Sequence, residues 1–381
     1  MTRRTSLSCR HPLNAPREHS DMPKLIGRWT ASIVLCGALS GTAEAQVVPD
    51  FAEYGAFLDS LMLAEGVPGI SFAFFNRDGV LWEHVSGVKR AGSNELIGRE
   101  TVFEAASISK PIFGFVLQSL ALEGALDLGR PLAEMVEPVP EVAHDTRSAL
   151  LTPRMLLSHQ GGLPNWRTRL NLDALVFDEL FGPEDTLRFV SHPGEGYSYS
   201  GEGFVLLQQV VEAHTRQRLP ELAATRVFEP FGMTRTTFSF NEVAEEDYAF
   251  GHSRDGRPDK WGLRVPLSSS TLHTTGADLG RFGAQLASEI SNGGRFARMA
   301  EPVVTVAHDG GDRLSWGLGL GVFDTPAGRY VYHGGNNVIF IADFIYGIEE
   351  DLGYVLLTNS ANGPGMVSAV EERVFGRSLR R

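Results

Sequence analysis

Ser107 and Lys110 stand three residues apart in the segment Ser107-Ile108-Ser109-Lys110. On a helix that spacing puts both side chains on one face, one turn from each other. A serine hydroxyl can attack a carbonyl, and an amine within reach can take its proton, the requirements of nucleophilic acyl transfer. An apolar run at 112–122 follows and reads as a helix. The serine is therefore expected near a helix N-terminus, where unpaired amides and the dipole favour a forming alkoxide or oxyanion. Pro111 fits the first turn, where a missing amide costs little. By itself the spacing is not specific, because a surface helix can carry it with the lysine simply solvated.

Two segments downstream add partners. In Gly194-Glu195-Gly196-Tyr197-Ser198-Tyr199-Ser200-Gly201, glycines build a turn-rich loop and Tyr199 offers a phenol, a group able to relay protons between nucleophile, leaving group and water. Taken alone, this tyrosine could equally be a core residue. In Tyr332-His333-Gly334-Gly335-Asn336, at the end of a strand-like run, Gly334 and Gly335 permit close substrate approach. The Asn336 N–H is a candidate oxyanion donor beside that of Ser107. As a bare sequence this segment also fits a tight turn.

The elements that must hold these residues are legible as periodicities. Residues 50–62 carry apolar side chains at helical spacing up to Gly66. Runs at 70–75 and 80–88 flank Asn76-Arg77-Asp78-Gly79, a strong hairpin signal. Helices are predicted at 112–122, 152–159, 204–213 and 277–286. Thr152 serves as N-cap of the second, with Pro153 at its first position and Gly161 beyond its end, and Thr275 precedes the last. Strands return at 330–332, 338–346 and 353–358, before a closing helix at 367–375. The expected architecture is α/β (α+β): an antiparallel sheet built from both termini and flanked by helices, with a mainly helical region inserted. The sheet subdomain is expected over about 46–105 and 265–381, the helical one over about 106–264, together one catalytic domain spanning 46–381.

Residues 1–45 read as a secretory leader: Lys24 and Arg28 precede a short apolar run at 29–39, followed by Ala43-Glu44-Ala45. An exported, periplasmic or secreted protein is expected. That run is too short for a membrane span, which needs ~20 apolar residues, and no longer one follows. Both cysteines, Cys9 and Cys36, fall in the leader, leaving the body without a thiol nucleophile, disulfide or cysteine metal ligand. The chain carries a formal charge of −12, and no basic cluster argues for a nucleic-acid partner. His252, His273 and His308 lack ligand spacing, so neither a metal nor another cofactor is expected. His159, at a helix C-terminus, reads as structural through the last carbonyls. Gly317, Gly319 and Gly321 alternate along a strand-like stretch and do not make a dinucleotide pattern, and no Gly-x-Ser-x-Gly elbow exists.

The three segments, in this order and at these separations, resemble the serine β-lactamase and penicillin-binding-protein superfamily, particularly its class C-like and esterase branch. Also similar are Phe103-Glu104-Ala105-Ala106, the run from Leu156 through His159 to Pro164, Trp316-Gly317-Leu318-Gly319, and Leu356-Leu357-Thr358-Asn359-Ser360. The resemblance spans roughly 50–375. It implies that Ser107 is acylated, that Lys110 assists its deprotonation, that Tyr199 is the second acid or base, and that His333, Gly334, Gly335 and Asn336 border the substrate. It implies a small ester, amide or β-lactam substrate.

Two departures bear on which. Relatives usually carry an asparagine where Gly201 stands, so the amide that contacts an acylamino side chain is missing. True β-lactamases carry a lysine where His333 stands, and a histidine is mostly neutral near neutrality, so carboxylate recognition should weaken. The expectation is an esterase-like hydrolase. A class C-like β-lactamase, a D-alanyl-D-alanine carboxypeptidase or D-aminopeptidase, and a non-catalytic penicillin-binding-like protein are the alternatives.

Overall fold

A computed structural model describes residues 50–182, 185–240, 247–259 and 262–379. The leader at 1–45 lies outside the described residues, which belong to one unit spanning 46–381. Helix α1 (Phe51–Glu65) starts where Asp50 accepts the N–H groups of Ala52 and Glu53, and stops at Gly66, whose φ of 66° ends it in the left-handed region. The hairpin β1 (Gly69–Asn76) and β2 (Gly79–Gly87) follows, as the Asp-Gly turn predicts. Strand β3 (Phe103–Ala106) leads directly to α2 (Ser109–Leu122). Helices α3 (Pro153–Leu157), α4 (Gly201–Thr215) and α5 (Leu219–Ala223) come next, with Thr152 and Ser200 as N-caps of the first two. Short strands β4 (Gly251–His252), β5 (Pro258–Asp259) and β6 (Leu272–Thr274) precede α6 (Gly276–Ser291), capped by Thr275. Strands β7 (Val304–Asp309), β8 (Asp312–Trp316), β9 (Gly321–Thr325), β10 (Gly328–Asn336), β11 (Ile341–Gly347) and β12 (Leu352–Thr358) complete the sheet, and α7 (Gly363–Phe375) follows.

The eight-stranded sheet runs β2-β1-β12-β11-β10-β9-β8-β7, and its pairings are antiparallel. Strands from the two ends of the chain meet where β1 pairs with β12, which is the expected closure. Because the sheet is covered on both faces, β1 is apolar almost throughout, not alternating. Ile70, Phe72 and Phe74 pack with Tyr54 and Leu58 of α1 and Met366 and Val370 of α7. Phe75, past a bulge, turns to the opposite core with Leu279 and Phe282 of α6.

Two expectations need correction. The predicted strand at 338–346 begins only at Ile341, because the Asn337 N–H donates to the Phe340 carbonyl (3.1 Å) and closes a turn in which Val338 takes a φ of 67°. The glycines at 317, 319 and 321 do not share a strand. A turn separates β8 from β9, closed by the Gly317 N–H on the Leu320 carbonyl (2.8 Å), with Gly319 at φ 86°.

Candidate active site

Ser107 sits on a sharp turn between β3 and α2. The residue before it, Ala106, has a φ of 49°, a conformation that costs an alanine about 1–2 kcal/mol. Ser109, the middle serine of the motif, stabilises this turn: its hydroxyl donates to the Ala106 carbonyl (2.6 Å) and accepts the Leu272 N–H (2.9 Å), tying the turn to β6. Strain supported in this way aims the Ser107 side chain into a cavity of about 600 Å3 instead of along the helix.

Lys110 is 1% exposed, and its Nζ donates to Ser107 Oγ (3.2 Å) and to the Ser269 carbonyl (2.8 Å). Nζ lies 4.8 Å from the centre of the Tyr199 ring and 5.5 Å from that of Phe204. These contacts fix the amine beside the hydroxyl, the arrangement needed to pass a proton from Ser107 to Lys110. Among the described residues nothing accepts the Ser107 N–H, which leaves it available to an oxyanion.

Tyr199 lines the same cavity, immediately before α4. The segment 159–166 zips onto its loop: the Ser198 N–H donates to the His159 carbonyl (2.7 Å), Ser200 Oγ to the Pro164 carbonyl (2.7 Å), and the Gly201 N–H to Asn165 Oδ1 (2.9 Å). The His159 ring does not meet the helix carbonyls expected from its place at a helix end; it turns to the Tyr199 loop. Its Nδ1 accepts the Ser200 N–H (3.0 Å) and its ring lies 4.3 Å from that of Tyr199. Burial, then the charge of Lys110, holds this imidazole well below its ordinary value, so it stays neutral with its proton on Nε2. At the start of α4, Glu202 anchors the loop by accepting from the Arg167 N–H (2.9 Å), Nε (2.9 Å) and Nη2 (2.8 Å).

Gly334, Gly335 and Asn336 line the cavity opposite Ser107. Gly335 is required there, since a Cβ would lie 2.3 Å from the Ala105 carbonyl oxygen. The close passage of β10 past β3 brings the Asn336 end of the strand and Ser107 to one cavity.

Gly201 and His333 sit differently from the expectation. A Cβ on Gly201 would meet the Trp166 indole at 2.7 Å, so that ring fills the space an asparagine side chain would take. Accordingly, Gly201→Asn is expected to lose about 1–3 kcal/mol of stability through overpacking. A second change, Trp166→Ala, should recover part of it in thermal unfolding; a Gly201→Asn protein as stable as wild type contradicts the steric account. The His333 ring is not part of the cavity wall. It is 1% exposed, 5.4 Å from the Trp316 ring and 6.3 Å from that of Tyr199, with Nδ1 2.8 Å from the Gly334 carbonyl. Residue 333 shares a side of β10 with Gly335, the side that faces β3, and its ring stays out of the cavity wall because it is buried beside the Trp316 and Tyr199 rings.

Lys110 is the one Lys or Arg among the described residues that line the cavity, and the buried side chains of Asp343 and Glu371 line it as well. No group of three or more His, Cys, Asp or Glu is placed to hold a metal among the described residues. No helix among them is long and apolar enough to cross a membrane.

The beta-lactamase family model matches residues 51–375. Penicillin-binding protein 4* of Bacillus subtilis (strain 168) is 23% identical over 330 residues, covering 78% of this chain and 70% of that protein. Esterase EstB of Burkholderia gladioli is 27% identical over 208 residues, covering 49% of this chain and 52% of the esterase. The octameric penicillin-binding protein homologue from Pyrococcus abyssi superposes with a TM-score of 0.71 at 21% identity, over 87% of this chain and 78% of that one. With the family match running from α1 to α7 and a large antiparallel sheet flanked by helices, the chain belongs to the beta-lactamase family.

Proposed function

We propose that the protein is an exported serine hydrolase that turns over esters or small amides through a Ser107 acyl-enzyme. The observation that carries this reading is the Lys110 Nζ held 3.2 Å from Ser107 Oγ at a cavity wall. Lys110 takes the hydroxyl proton as Oγ bonds to the substrate carbonyl carbon. The oxyanion is held by the Ser107 and Asn336 N–H groups. As the tetrahedral centre collapses, the bond to the leaving oxygen or nitrogen breaks and that atom receives a proton by way of Tyr199. Water then attacks the acyl-enzyme, giving a proton to the same pair of groups, and Ser107 recovers its own. The leader pattern at 24–45 supports export.

The preference for uncharged substrates is supported by the cavity's charges. A β-lactam or D-alanyl carboxylate would find no Lys or Arg but Lys110 among the described residues that line the cavity, and Lys110 is already bonded to Ser269 and Ser107. Trp166, filling the place of the missing amide, offers an apolar wall to the acyl group. A β-lactamase or D-alanyl peptidase is the second reading, favoured by the match to a penicillin-binding protein along 78% of the chain. Specificity constants separate the two. A short-chain nitrophenyl ester should exceed a chromogenic cephalosporin and a D-alanyl-D-alanine peptide by about tenfold or more in kcat/KM, at least about 1.4 kcal/mol. Faster turnover of either carboxylate-bearing substrate sinks the esterase preference.

A further inference from the structure

We propose that Glu104 is a positioning residue for acyl transfer: through Asn337, its buried carboxyl ties together the strand carrying Ser107, the turn carrying the Asn336 N–H and the loop holding Lys110. Glu104 lies on β3, three residues before the nucleophile, and is 3% exposed. Its Oε1 accepts from Asn337 Nδ2, and the same amide group donates to the Ser270 carbonyl (3.1 Å). Ser270 follows Ser269, whose carbonyl accepts from Lys110 Nζ (2.8 Å). Asn337 follows Asn336, whose own side chain is spent on the turn, accepting the Val338 N–H (2.8 Å). One side-chain amide therefore joins three segments that come from distant parts of the chain, and Glu104 is its anchor on the nucleophile's strand.

The protonation state suits this task. The other oxygen of Glu104, Oε2, has no hydrogen-bond partner among the described residues. Burial pushes its carboxyl up to about 8, against the lowering effect of the Asn337 bond, so near neutrality it is a neutral acid. Two titratable side chains packed around it, His273 and Tyr248, do not change charge in that range. His273, its cross-strand partner on β6, is pushed by burial down to about 3 and stays neutral. Burial, and then Glu104 itself, raises the Tyr248 phenol well above its ordinary range. Lys110 is held one residue from Asn337's acceptor, at Ser269. The unfolded carboxyl has its ordinary value of 4.5, so between 4.5 and about 8 the folded protein holds a proton that the unfolded chain has released. The stability linked to Glu104 is therefore full below that window, declines as pH rises through it, and is lost above about 8.

The inference rests on the Ser107 acyl-enzyme reading, and the experiment separates the two. Wild type, Glu104→Gln and Glu104→Ala are compared for fluorophosphonate labelling, ester kcat and KM, and denaturant stability from pH 6 to 9. Glu104→Gln keeps an oxygen that accepts from Asn337 and should hold kcat within about threefold, whereas Glu104→Ala should lower kcat by up to about 10²-fold, the scale of an ångström of misplacement. KM should move less than kcat. Between pH 6 and about 8, wild type should lose stability relative to Glu104→Gln. Wild type that fails to label overturns the acyl-enzyme reading, while the stability comparison still tests the buried acid. Equal kcat in wild type and Glu104→Ala, a Glu104→Gln protein as slow as Glu104→Ala, or parallel stability curves for wild type and Glu104→Gln overturns the inference.

Discussion

Lys110→Ala leaves a folded protein whose Ser107 acylates on the order of 10²–10⁴-fold more slowly, the usual worth of a positioned proton acceptor. The expectation follows from geometry. Among the described residues, Lys110 Nζ is the one side-chain nitrogen bonded to Ser107 Oγ, and the Ser269 carbonyl holds it there. His159 cannot take over, because its Nδ1 is occupied by the Ser200 N–H and the ring is held neutral as an element of the Tyr199 loop. The variant also removes a buried side chain whose nitrogen lies 4.8 Å from the centre of the Tyr199 ring, so a control for fold is needed, and far-UV and near-UV circular dichroism supply it. Single-turnover acylation within tenfold of wild type, in a variant with a native spectrum, contradicts Lys110 as the base.

Arg167→Ala is expected to cost about 3–5 kcal/mol of folding stability, measured by denaturant unfolding. Its partner Glu202 has a fully buried side chain, and it accepts three bonds from Arg167, two of them from the guanidinium. Without that group a carboxylate is stranded inside the first turn of α4, immediately after Tyr199 and Ser200. The consequence reaches the site, because this turn sets the exit of the Tyr199 loop. A double change, Arg167→Met with Glu202→Gln, removes both charges and should recover most of the loss. If Arg167→Ala unfolds within about 1 kcal/mol of wild type, the ion pair is not the anchor described here.

How much of this was legible in the sequence depended on how local each signal was. Strands β1 and β12 could be read because burial on both faces makes them apolar runs, β2 because an Asp-Gly turn joins it to β1, α1 because its apolar spacing stops at Gly66, and α3 and α6 because Thr152 and Thr275 cap them. Strands β7, β8 and β9 were hidden, since half-exposed strands carrying Asp309, Asp312, Arg313 and Asp324 look like loops. In the site, Ser107, Lys110 and Tyr199 stood out because their chemistry lies in residue type. The Ser269 carbonyl did not, because a backbone acceptor has no residue signature. The exchange between Gly201 and Trp166 joins positions thirty-five residues apart, and the glycine alone reads as a loss when the indole has taken its space. His333 was identifiable as a missing lysine, but its burial beside Trp316 and Tyr199 depended on packing between distant segments. Its neighbours Phe103 to Ala106 drew notice only as a familiar segment; that Glu104 anchors Asn337 needed the fold.

The central claim, a covalent intermediate on Ser107, is tested most directly by intact-mass spectrometry of the protein quenched during turnover of a short-chain ester, followed by peptide mapping. The account predicts a mass increase equal to the acyl group, located on the peptide containing Ser107, absent in Ser107→Ala and trapped more slowly in Lys110→Ala. An unmodified Ser107 peptide during active turnover, or the same adduct in Ser107→Ala, would contradict it.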